Sequence, residues 1–372
     1  MADLRVISAD DHLQEARDLW EKRVPASLRD EAPHLIELPD GGHGWALPNG
    51  TTRPLGLDVM AGRRYEDYKA SGVDWDEIRP GCYDPHARLS DMDIDGVHAT
   101  VLYPNVGLFG FNDLRHDLAM ACIRAYNDHL SEFCATDENR LIGVALTPAL
   151  DPGSAVEEIE RVGKLPGIRG ALLPVFPGEN SWWGDPEFEP LWAAAQANGL
   201  SISFHIGPPR GLAGETGKAL RSRPGGTEAV INLLPMSTAE ALATMLWSGV
   251  FDRFPELKVI SVESGIGWLG YFRERAEEVY ERHRHWAHTD LKEEPGAYFG
   301  RNIFATFESD AAGVQMRHLV GVETILWSSD YPHSDTTWPH SRENIDKHFK
   351  DAPDEDKRKI VFDNAARVYG IS

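Results

Sequence analysis

Short apolar runs rich in Val, Ile and Leu alternate with longer amphipathic segments along most of the chain after residue 83. The β-branched composition and the length of these runs are typical of parallel strands that are buried on both faces. Seven strands are predicted there, at 97–104, 141–148, 168–175, 200–207, 257–264, 302–307 and 324–332. An earlier apolar run, at 6–15, predicts one more strand near the N-terminus.

Segments with helical periodicity fill the intervals between these strands, and some begin with an Asp-Pro pair, as at Asp151 and Asp185. The predicted helices cover 86–95, 115–135, 152–164, 186–198, 227–250, 266–285, 310–319, 340–350 and 354–369. Eight strands that each lead to a helix are the number that closes a (β/α)8 barrel. A doubly wound open sheet is the alternative, but no glycine fingerprint for a dinucleotide follows the first strand. We therefore predict a (β/α)8 barrel, also called a TIM barrel.

Residues 16–82 interrupt the alternation directly after the first strand. This segment is rich in Gly, Pro, Asp and Arg and has poor periodicity. A long irregular segment in a compact protein commonly forms a functional lid or an interface arm. We predict one domain over residues 1–372, with 16–82 as an insertion or lid within it.

Potential metal ligands stand at the carboxyl ends of several predicted strands. Asp10 and His12 end the first strand, and their spacing of two places both side chains on one face. His205 ends the fifth strand and Asp330 the eighth. The carboxyl ends of barrel strands meet at one face, where the loops form the active site. A mixed nitrogen and oxygen donor set suits Zn²⁺ or Mn²⁺, and we predict one divalent ion, Zn²⁺ first and Mn²⁺ second.

Each of these residues has an ordinary structural explanation when it is considered alone. A histidine at a strand end is often a core or loop residue, and an aspartate before Tyr-Pro, as at Asp330, often caps a turn. The metal site is favoured because the residues coincide at strands one, five and eight. Period-two geometry turns Asp11 away from the barrel axis and towards the helical layer, so Asp11→Ala should largely spare the metal that Asp10→Ala abolishes.

Further polar residues near the strand ends have more than one interpretation. Glu263, at the end of strand six, could act as acid or base, bind the metal or brace a ligand histidine. His333, three residues beyond Asp330, could supply an imidazole or cap the turn. Glu15 could orient a ligand or stabilise a turn, and Arg169 could meet a substrate carboxylate or a structural acid.

Five segments resemble a known family: VISADDHLQEARDLW (6–20), GCYDPHARLSDMDIDGVHATVLYP (81–104), SISFHIG (201–207), VESGIGWLGYFRERAE (262–277) and LWSSDYPHSDTTWP (326–339). Together they resemble the amidohydrolase-related family, the branch of the amidohydrolase superfamily that includes the aminocarboxymuconate semialdehyde and resorcylate type decarboxylases. The resemblance implies a distorted barrel with one divalent metal on Asp10, His12, His205 and Asp330. Strand four ends without a lysine, so a carbamylated lysine and a two-metal centre are not expected.

The sequence departs from the resembled decarboxylases at the end of strand six. Those enzymes have a histidine there that takes part in proton transfer, whereas this chain has Glu263. We take Asp330, Glu263 and His333 as the catalytic candidates, with His333 as a source of the missing imidazole.

Two reactions remain open. Nonoxidative decarboxylation of a small carboxylated or aromatic metabolite is slightly preferred because the resemblance runs along the whole chain. Hydrolysis of an amide, ester, lactone or carbon–carbon bond is the alternative, with a metal-activated water whose proton Asp330 takes. A metal-free barrel that acts as a binding protein is the alternative from another class.

Composition limits the partners. The chain has 59 acidic and 37 basic residues, a net charge of −22, which argues against nucleic acid and anionic membranes. No stretch approaches about 18 consecutive apolar residues, and the N-terminus does not have the pattern of a signal peptide. The three cysteines, Cys82, Cys122 and Cys134, lack metal-type spacing and predict reduced thiols. We expect a cytoplasmic enzyme.

The predicted loop at 207–227 is locally basic in an otherwise acidic chain. This composition suggests an anionic small-molecule substrate such as an aromatic carboxylate, although charged loops are commonly just solvated. Its basic residues are Arg210, Lys218, Arg221 and Arg223. The family resemblance and the arm-like insertion suggest a homodimer or a higher homo-oligomer.

Overall fold

The computed structural model describes residues 4–108, 111, 114–148, 151–212 and 214–372. Within these residues, eight parallel strands form one sheet. The strands of the chain are β1 (Ile7–Leu13), β2 (His34–Glu37), β3 (His43–Ala46), β4 (Thr52–Pro54), β5 (Ala99–Pro104), β6 (Leu141–Leu146), β7 (Ile168–Leu173), β8 (Ser201–His205), β9 (Val259–Val262), β10 (Ile303–Phe307) and β11 (Ile325–Trp327). In the eight-stranded sheet the order is β1-β5-β6-β7-β8-β9-β10-β11, so each strand pairs with the next barrel strand along the chain.

The first and last barrel strands meet at their carboxyl ends. The Asp330 N–H donates to the carbonyl of Asp10 at 2.9 Å, and the His12 N–H donates to the carbonyl of Tyr331 at 2.6 Å. All residues of β1 are buried, as expected of a strand with side chains on both sides of a barrel wall. The predicted (β/α)8 barrel is therefore confirmed.

Helices surround the sheet on its outer side. They are α1 (Leu19–Arg23), α2 (Pro85–Asp95), α3 (His116–Cys134), α4 (Pro152–Val162), α5 (Glu189–Ala197), α6 (Gly214–Arg221), α7 (Gly226–Leu233), α8 (Ala239–Trp247), α9 (Val250–Arg253), α10 (Gly267–Ala287), α11 (Ala311–Gln315), α12 (Arg317–Val320), α13 (Ser341–His348), α14 (Asp354–Arg358) and α15 (Asn364–Tyr369). Asp84 caps α2 and Asp151 caps α4, because each side chain accepts a hydrogen bond of 2.8 Å from the backbone N–H three residues later. A proline directly follows each of these aspartates.

Several predicted elements differ from the observed ones. The predicted helix at 227–250 is three helices, and the predicted helix at 310–319 is two. The predicted 207–227 loop contains α6, and its residue Ala213 lies outside the described residues. The final predicted helix, at 354–369, is interrupted by a π-helical turn at Lys359–Asp363 between α14 and α15. Helical periodicity survives these breaks, so it could not reveal them.

Among the described residues, the segment Gly226–Trp247 has the length and apolar composition of a membrane span, with a mean hydropathy of 1.3. A turn at Leu234–Met236, which contains Pro235, divides it into α7 and α8. Four apolar residues of α8 are buried in the protein: Ala241, Leu242, Met245 and Leu246. These features identify α8 as a core helix.

The insertion at 16–82 contains a small antiparallel sheet, β2-β3-β4, and several short helical turns. Strands of three or four residues among Gly and Pro give too little alternation to be recognised in the sequence. Trp45 of β3 is buried against Trp20 and Trp75 with edge-on rings. The Ala61 N–H donates to the Pro332 carbonyl at 3.0 Å, which attaches the insertion to the loop after β11. Its assignment as a lid within a single domain stays a prediction.

Candidate metal centre

The predicted ligand side chains lie together at the carboxyl end of the barrel. The Nε2 atoms of His12 and His205 are 3.1 Å apart. His12 Nε2 is 3.6 Å from Asp10 Oδ1 and 3.4 Å from Asp330 Oδ1. His205 Nε2 is 3.7 Å from Asp10 Oδ1, and the four residues are almost completely buried. Residues from three distant parts of the sequence thus converge on one point.

Both histidines direct an unprotonated nitrogen at this point. His12 Nδ1 lies 3.0 Å from the carbonyl of Pro104, and His205 Nδ1 lies 3.3 Å from the carbonyl of Ile206. A carbonyl oxygen only accepts hydrogen bonds, so each Nδ1 carries the proton of a neutral ring. Each Nε2 therefore presents its lone pair to the cluster, as a metal-binding imidazole does.

The carboxylates of the cluster lack donors. Both carboxylate oxygens of Asp10 and both of Asp330 are buried without a hydrogen-bond partner in the described part of the chain. A buried carboxylate without a partner is costly, and a cation is the usual compensation. Two free imidazole nitrogens and two unpaired carboxylates are therefore a donor set that fits a divalent metal ion.

Glu263 and His333 complete two overlapping groups of potential ligands. Asp10, His12, His205 and Glu263 form one group, in which the donor atoms all lie within 4.8 Å of one another. His12, Glu263, Asp330 and His333 form the second. Glu263 Oε2 is 3.4 Å from His205 Nε2, and His333 Nδ1 is 3.0 Å from Asp330 Oδ1. Both residues thus lie within reach of an ion or of a substrate bound to it.

Burial and mutual repulsion shift the pKa values of the whole cluster. Burial, and then the Asp330 charge, raises the pKa of Asp10 well above its usual range, and the same two causes act on Glu263. Burial also raises the pKa of Asp330 well above its usual range. Burial lowers the pKa of His205 to about 3 and that of His333 to about 4. Every group therefore favours its neutral form, and a divalent cation would reverse the preference of the carboxylates.

Two of these residues have a left-handed backbone. Glu263 has φ 56° and Asp330 has φ 53°. A non-glycine residue in this region costs on the order of 1–3 kcal/mol and is common at active sites. The Glu263 N–H is held by Thr306 Oγ1 at 2.8 Å, and the Asp330 N–H by the Asp10 carbonyl. This backbone turns each side chain out of the strand alternation, which sequence periodicity could not predict.

Asp11 lies outside both ligand groups, as the period-two argument predicts. It does not reach the helical layer, however. Its carboxylate accepts hydrogen bonds from Ser8 Oγ at 2.8 Å, Ser329 Oγ at 2.6 Å and the Tyr331 N–H at 2.9 Å, and also from Thr100 Oγ1. Asp11 therefore joins β1 to β5 and to the segment that carries Asp330.

Two other sequence candidates have structural contacts. Glu15 Oε1 accepts the backbone N–H groups of residues 105–107 at 2.9–3.2 Å, which is the turn role. Arg169 donates to the carbonyls of Tyr369, Gly370 and Glu138, so it fastens the C-terminal helix. It lies near the start of β7, at the end of the barrel away from the site.

Two basic residues of the 207–227 segment, Arg210 and Lys218, also have partners. Arg210 Nη2 is 2.8 Å from Glu240 Oε1, and Arg210 Nη1 donates to the carbonyls of Gly178 and Glu179. Lys218 pairs with Glu215 at 2.8 Å on the surface. Arg210 therefore holds the loop after β7. Because its guanidinium is already paired, the 207–227 segment is less suited to bind an anionic substrate than its composition suggested.

Sequence reasoning missed Asn105 and Glu308. Asn105 Oδ1 lies 2.7 Å from His333 Nε2. Glu308 follows β10 and accepts from Ser328 Oγ at 2.9 Å, and burial raises its pKa to about 7. The strand-end rule that found His205 would have found Glu308, since an apolar strand precedes it.

An apolar cavity of about 170 Å³ opens beside His205. Its wall comes from the carboxyl ends of β6, β7 and β8 and from the loops after β5 to β8, and includes Leu108, Leu146, Leu173, Val175, Phe176 and Ile206. Pockets of this kind bind small ligands through apolar walls and a few polar groups that set orientation. Here the polar side chains of the wall are His205, which belongs to the cluster, and Thr147.

Comparisons with known proteins agree with this architecture. The family model described as Amidohydrolase matches residues 79–371. The gamma-resorcylate decarboxylase of Polaromonas sp. is 27% identical over 329 residues, which cover 80% of this chain and 91% of that protein. The structure of 5-carboxyvanillate decarboxylase from Sphingomonas paucimobilis has a TM-score of 0.71 and 22% identity, with 100% of both chains covered.

A third relative was solved with a metal. It is a dihydroxybenzoic acid decarboxylase from Polaromonas sp., with bound manganese and the inhibitor 2-nitroresorcinol. It has a TM-score of 0.66 and 20% identity, over 98% of this chain and 97% of that one. Because the family model spans most of the sequence, including the segments that carry His205, Glu263 and Asp330, this chain belongs to the amidohydrolase family.

Proposed function

We propose that this protein is a metal-dependent enzyme that decarboxylates a small aromatic acid without an oxidant. The observation that carries the proposal is the apolar cavity of about 170 Å³ that opens directly beside His205 of the ligand cluster. An aromatic ring suits such walls, and its carboxylate would then face the cluster. The names of the relatives, which are decarboxylases of aromatic acids, support this choice.

We propose Asp10, His12, His205 and Asp330 as the ligands of one divalent ion. When bound, such an ion holds a substrate carboxylate or hydroxyl oxygen and draws electron density from it. The two imidazoles favour Zn²⁺, and manganese in the Polaromonas structure makes Mn²⁺ the competing ion.

Proton delivery is the task of the chain's own residues. A protein acid places a proton on the ring carbon that carries the carboxylate, the carbon–carbon bond then breaks, and its electron pair restores the aromatic ring as CO₂ leaves. Asp330 and His333, 3.0 Å apart, are the pair proposed to carry this proton. Glu263 stays a catalytic candidate, since it faces His205 across 3.4 Å where the resembled decarboxylases have a histidine. Solvent returns the proton to the acid after CO₂ leaves.

An acidic substrate needs a positive partner, and the insertion brings one near the cluster. Burial is the main cause of the low pKa of His205 and of His333, and the positive charge of Arg53 in β4 is a smaller cause that acts on both rings. Arg53 also forms an ion pair with Asp58 at 2.8 Å. We propose that this pair sits at the carboxylate end of the substrate.

Location and assembly remain proposals. Cys82, Cys122 and Cys134 are buried free thiols, which fits a cytoplasmic protein. Tyr271 and Trp286 of α10 are each 70% exposed, which fits a contact between subunits of a homo-oligomer.

The test combines metal analysis with two substrate panels. About one divalent ion per chain is expected, with activity lost on chelation and regained on adding the ion. CO₂ release from hydroxybenzoates, absent in Asp330→Asn, supports the decarboxylase. Turnover of amides or lactones without CO₂ release would replace it by the hydrolase. Absence of both metal and turnover would leave a binding protein.

A further inference from the structure

The loop after β5 contacts two imidazole rings of the cluster. The carbonyl of Pro104 accepts the Nδ1 proton of His12 at 3.0 Å. The next residue, Asn105, is fully buried and places its side-chain Oδ1 2.7 Å from His333 Nε2. Two consecutive residues, the last of β5 and the first after it, therefore contact both rings.

The amide of Asn105 is hydrogen-bonded to a second amide, so the two orientations are coupled. Asn105 Nδ2 donates to Gln14 Oε1 at 3.1 Å, which leaves Asn105 Oδ1 for His333. An amide oxygen only accepts, so His333 Nε2 must carry the ring proton. His333 Nδ1 then presents its lone pair to Asp330 Oδ1 at 3.0 Å.

The surroundings keep this arrangement in place. Glu15 holds the loop through the backbone N–H groups of residues 105–107. The His12 ring stacks on the His333 ring, with centroids 3.7 Å apart and planes 24° apart, which restricts rotation of His333. The ring plane and the protonated nitrogen are thus determined by separate contacts.

We propose that Asn105, oriented by Gln14, is a positioning residue that selects the Nε2-protonated tautomer of His333. Nδ1 is then the atom that exchanges a proton across the short gap to Asp330. The kinetic consequence rests on the proposed function, but the tautomer does not. Reversal of one amide alone would place two donors or two acceptors face to face, so the two amides can only reverse together. Their joint reversal would present an N–H group to His333 Nε2 and give the opposite tautomer.

The experiment reads the tautomer directly. Protein labelled with ¹⁵N-histidine and loaded with diamagnetic Zn²⁺ is studied by long-range ¹H–¹⁵N correlation, and the His333 signals are identified by their loss in His333→Gln. Wild type is expected to show the proton on Nε2. Asn105→Asp keeps an acceptor and should keep this pattern, whereas Asn105→Leu should lose it.

Activity provides the second measurement. Asn105→Leu should lower kcat by about 10–100-fold with little change in KM, as loss of a partner that orients a catalytic histidine does. Gln14→Leu, which frees the amide, should give a mixture of tautomers and an intermediate kcat. Asn364→Leu removes another buried amide, which donates to the Val322 and Ile325 carbonyls, and should leave the His333 signals unchanged.

A wild-type proton on Nδ1 would overturn the proposal, as would an unaltered His333 pattern in Asn105→Leu. Failure of the proposed function looks different: no substrate would release CO₂, while the tautomer measurements would still give the expected series. Should Asn105→Leu not fold, Gln14→Leu and Asn105→Asp decide between the two amide orientations, since only one of them tolerates an acid at position 105.

Discussion

Asp10 and Asp11 are neighbours in sequence with opposite surroundings. Both oxygens of Asp10 lack a hydrogen-bond donor among the described residues, whereas Asp11 accepts four hydrogen bonds from Ser8, Thr100, Ser329 and Tyr331. A carboxylate without donors is prepared for a cation, and one with four donors is already compensated. Two adjacent aspartates therefore have different roles: Asp10 is suited to bind a metal ion, and Asp11 joins neighbouring strands.

Substitution of each aspartate should therefore change a different property. Asp10→Ala should remove the metal while the apo protein stays folded, because a repulsive buried carboxylate is lost. Asp11→Ala leaves buried donors unpaired at about 1–3 kcal/mol each, so it should lower Tm and retain more metal per folded chain. Elemental analysis and calorimetry measure the two effects. Equal metal loss and equal Tm in the two variants would contradict the separate roles of Asp10 and Asp11.

Elements of the fold act on the site from a distance, and the loop after β7 is one of them. Phe176 of this loop lines the cavity, and Arg210 packs 4.5 Å above its ring centre. Arg210 also joins the loop to Glu240 of α8. The cavity wall thus depends on an ion pair whose two residues lie outside the ligand cluster.

Loss of this ion pair should weaken substrate binding more than chemistry. Arg210→Met should raise KM several-fold with a smaller change in kcat, because the wall becomes loose while the cluster is intact. Steady-state kinetics with the best aromatic acid measures the effect. Arg221→Met, on the exposed face of α6, is the matched control and should behave as wild type. A lower kcat with unchanged KM would contradict this role.

The contact between α2 and α13 should make stability depend on pH. Asp95 is 3% exposed and accepts from the Ser341 N–H at 2.9 Å and from Ser341 Oγ, and burial raises its pKa to about 6. The folded state then holds this proton more tightly than the unfolded state. Stability from this group is fully present below about pH 4 and decreases as the pH rises to about 6, by about 2–3 kcal/mol.

Asp95→Asn removes this titration and can keep both contacts with Ser341, since an amide both accepts and donates. The variant should gain stability relative to wild type as the pH rises from 4 to 7. Urea unfolding at the two values measures the difference. A constant difference between the two proteins across this range would show that Asp95 does not titrate in the folded state as described.

At the scale of the whole molecule, the ligand cluster joins the two ends of the chain. Asp10 and His12 come from β1 and Asp330 from the segment after β11, while His205 comes from the middle. An ion bound by all four would hold the barrel closed where β1 and β11 meet. Binding only to the folded state stabilises it by mass action.

Metal removal should therefore lower Tm. Free ion at 100 times Kd adds about 2.7 kcal/mol to the folded state, so treatment with a chelator should lower Tm by several degrees and re-addition should restore it. Calorimetry of wild type with and without chelator is the measurement. Asp10→Ala is the control and should not respond. An identical Tm in both wild-type samples would show that the ion does not stabilise the folded state.

Local patterns in the sequence were enough to predict the barrel and to identify the candidate ligand residues. Strand composition, the count of eight and the ligands at strand ends are local or periodic properties, and the structure confirms the barrel and places Asp10, His12, His205 and Asp330 together. The breaks in the helix predicted at 227–250 were hidden because apolar periodicity continues through the turn at Leu234–Met236.

The tertiary structure decided the contacts that periodicity does not encode. The left-handed backbone of Glu263 and Asp330 depends on hydrogen bonds that their N–H groups donate to other strands, and the ring proton of His333 depends on Asn105 and Gln14. Arg169 and Arg210 looked available for a substrate, but distant carbonyls and Glu240 occupy them. A residue's type shows what it can bind, and only the folded chain decides which partners reach it.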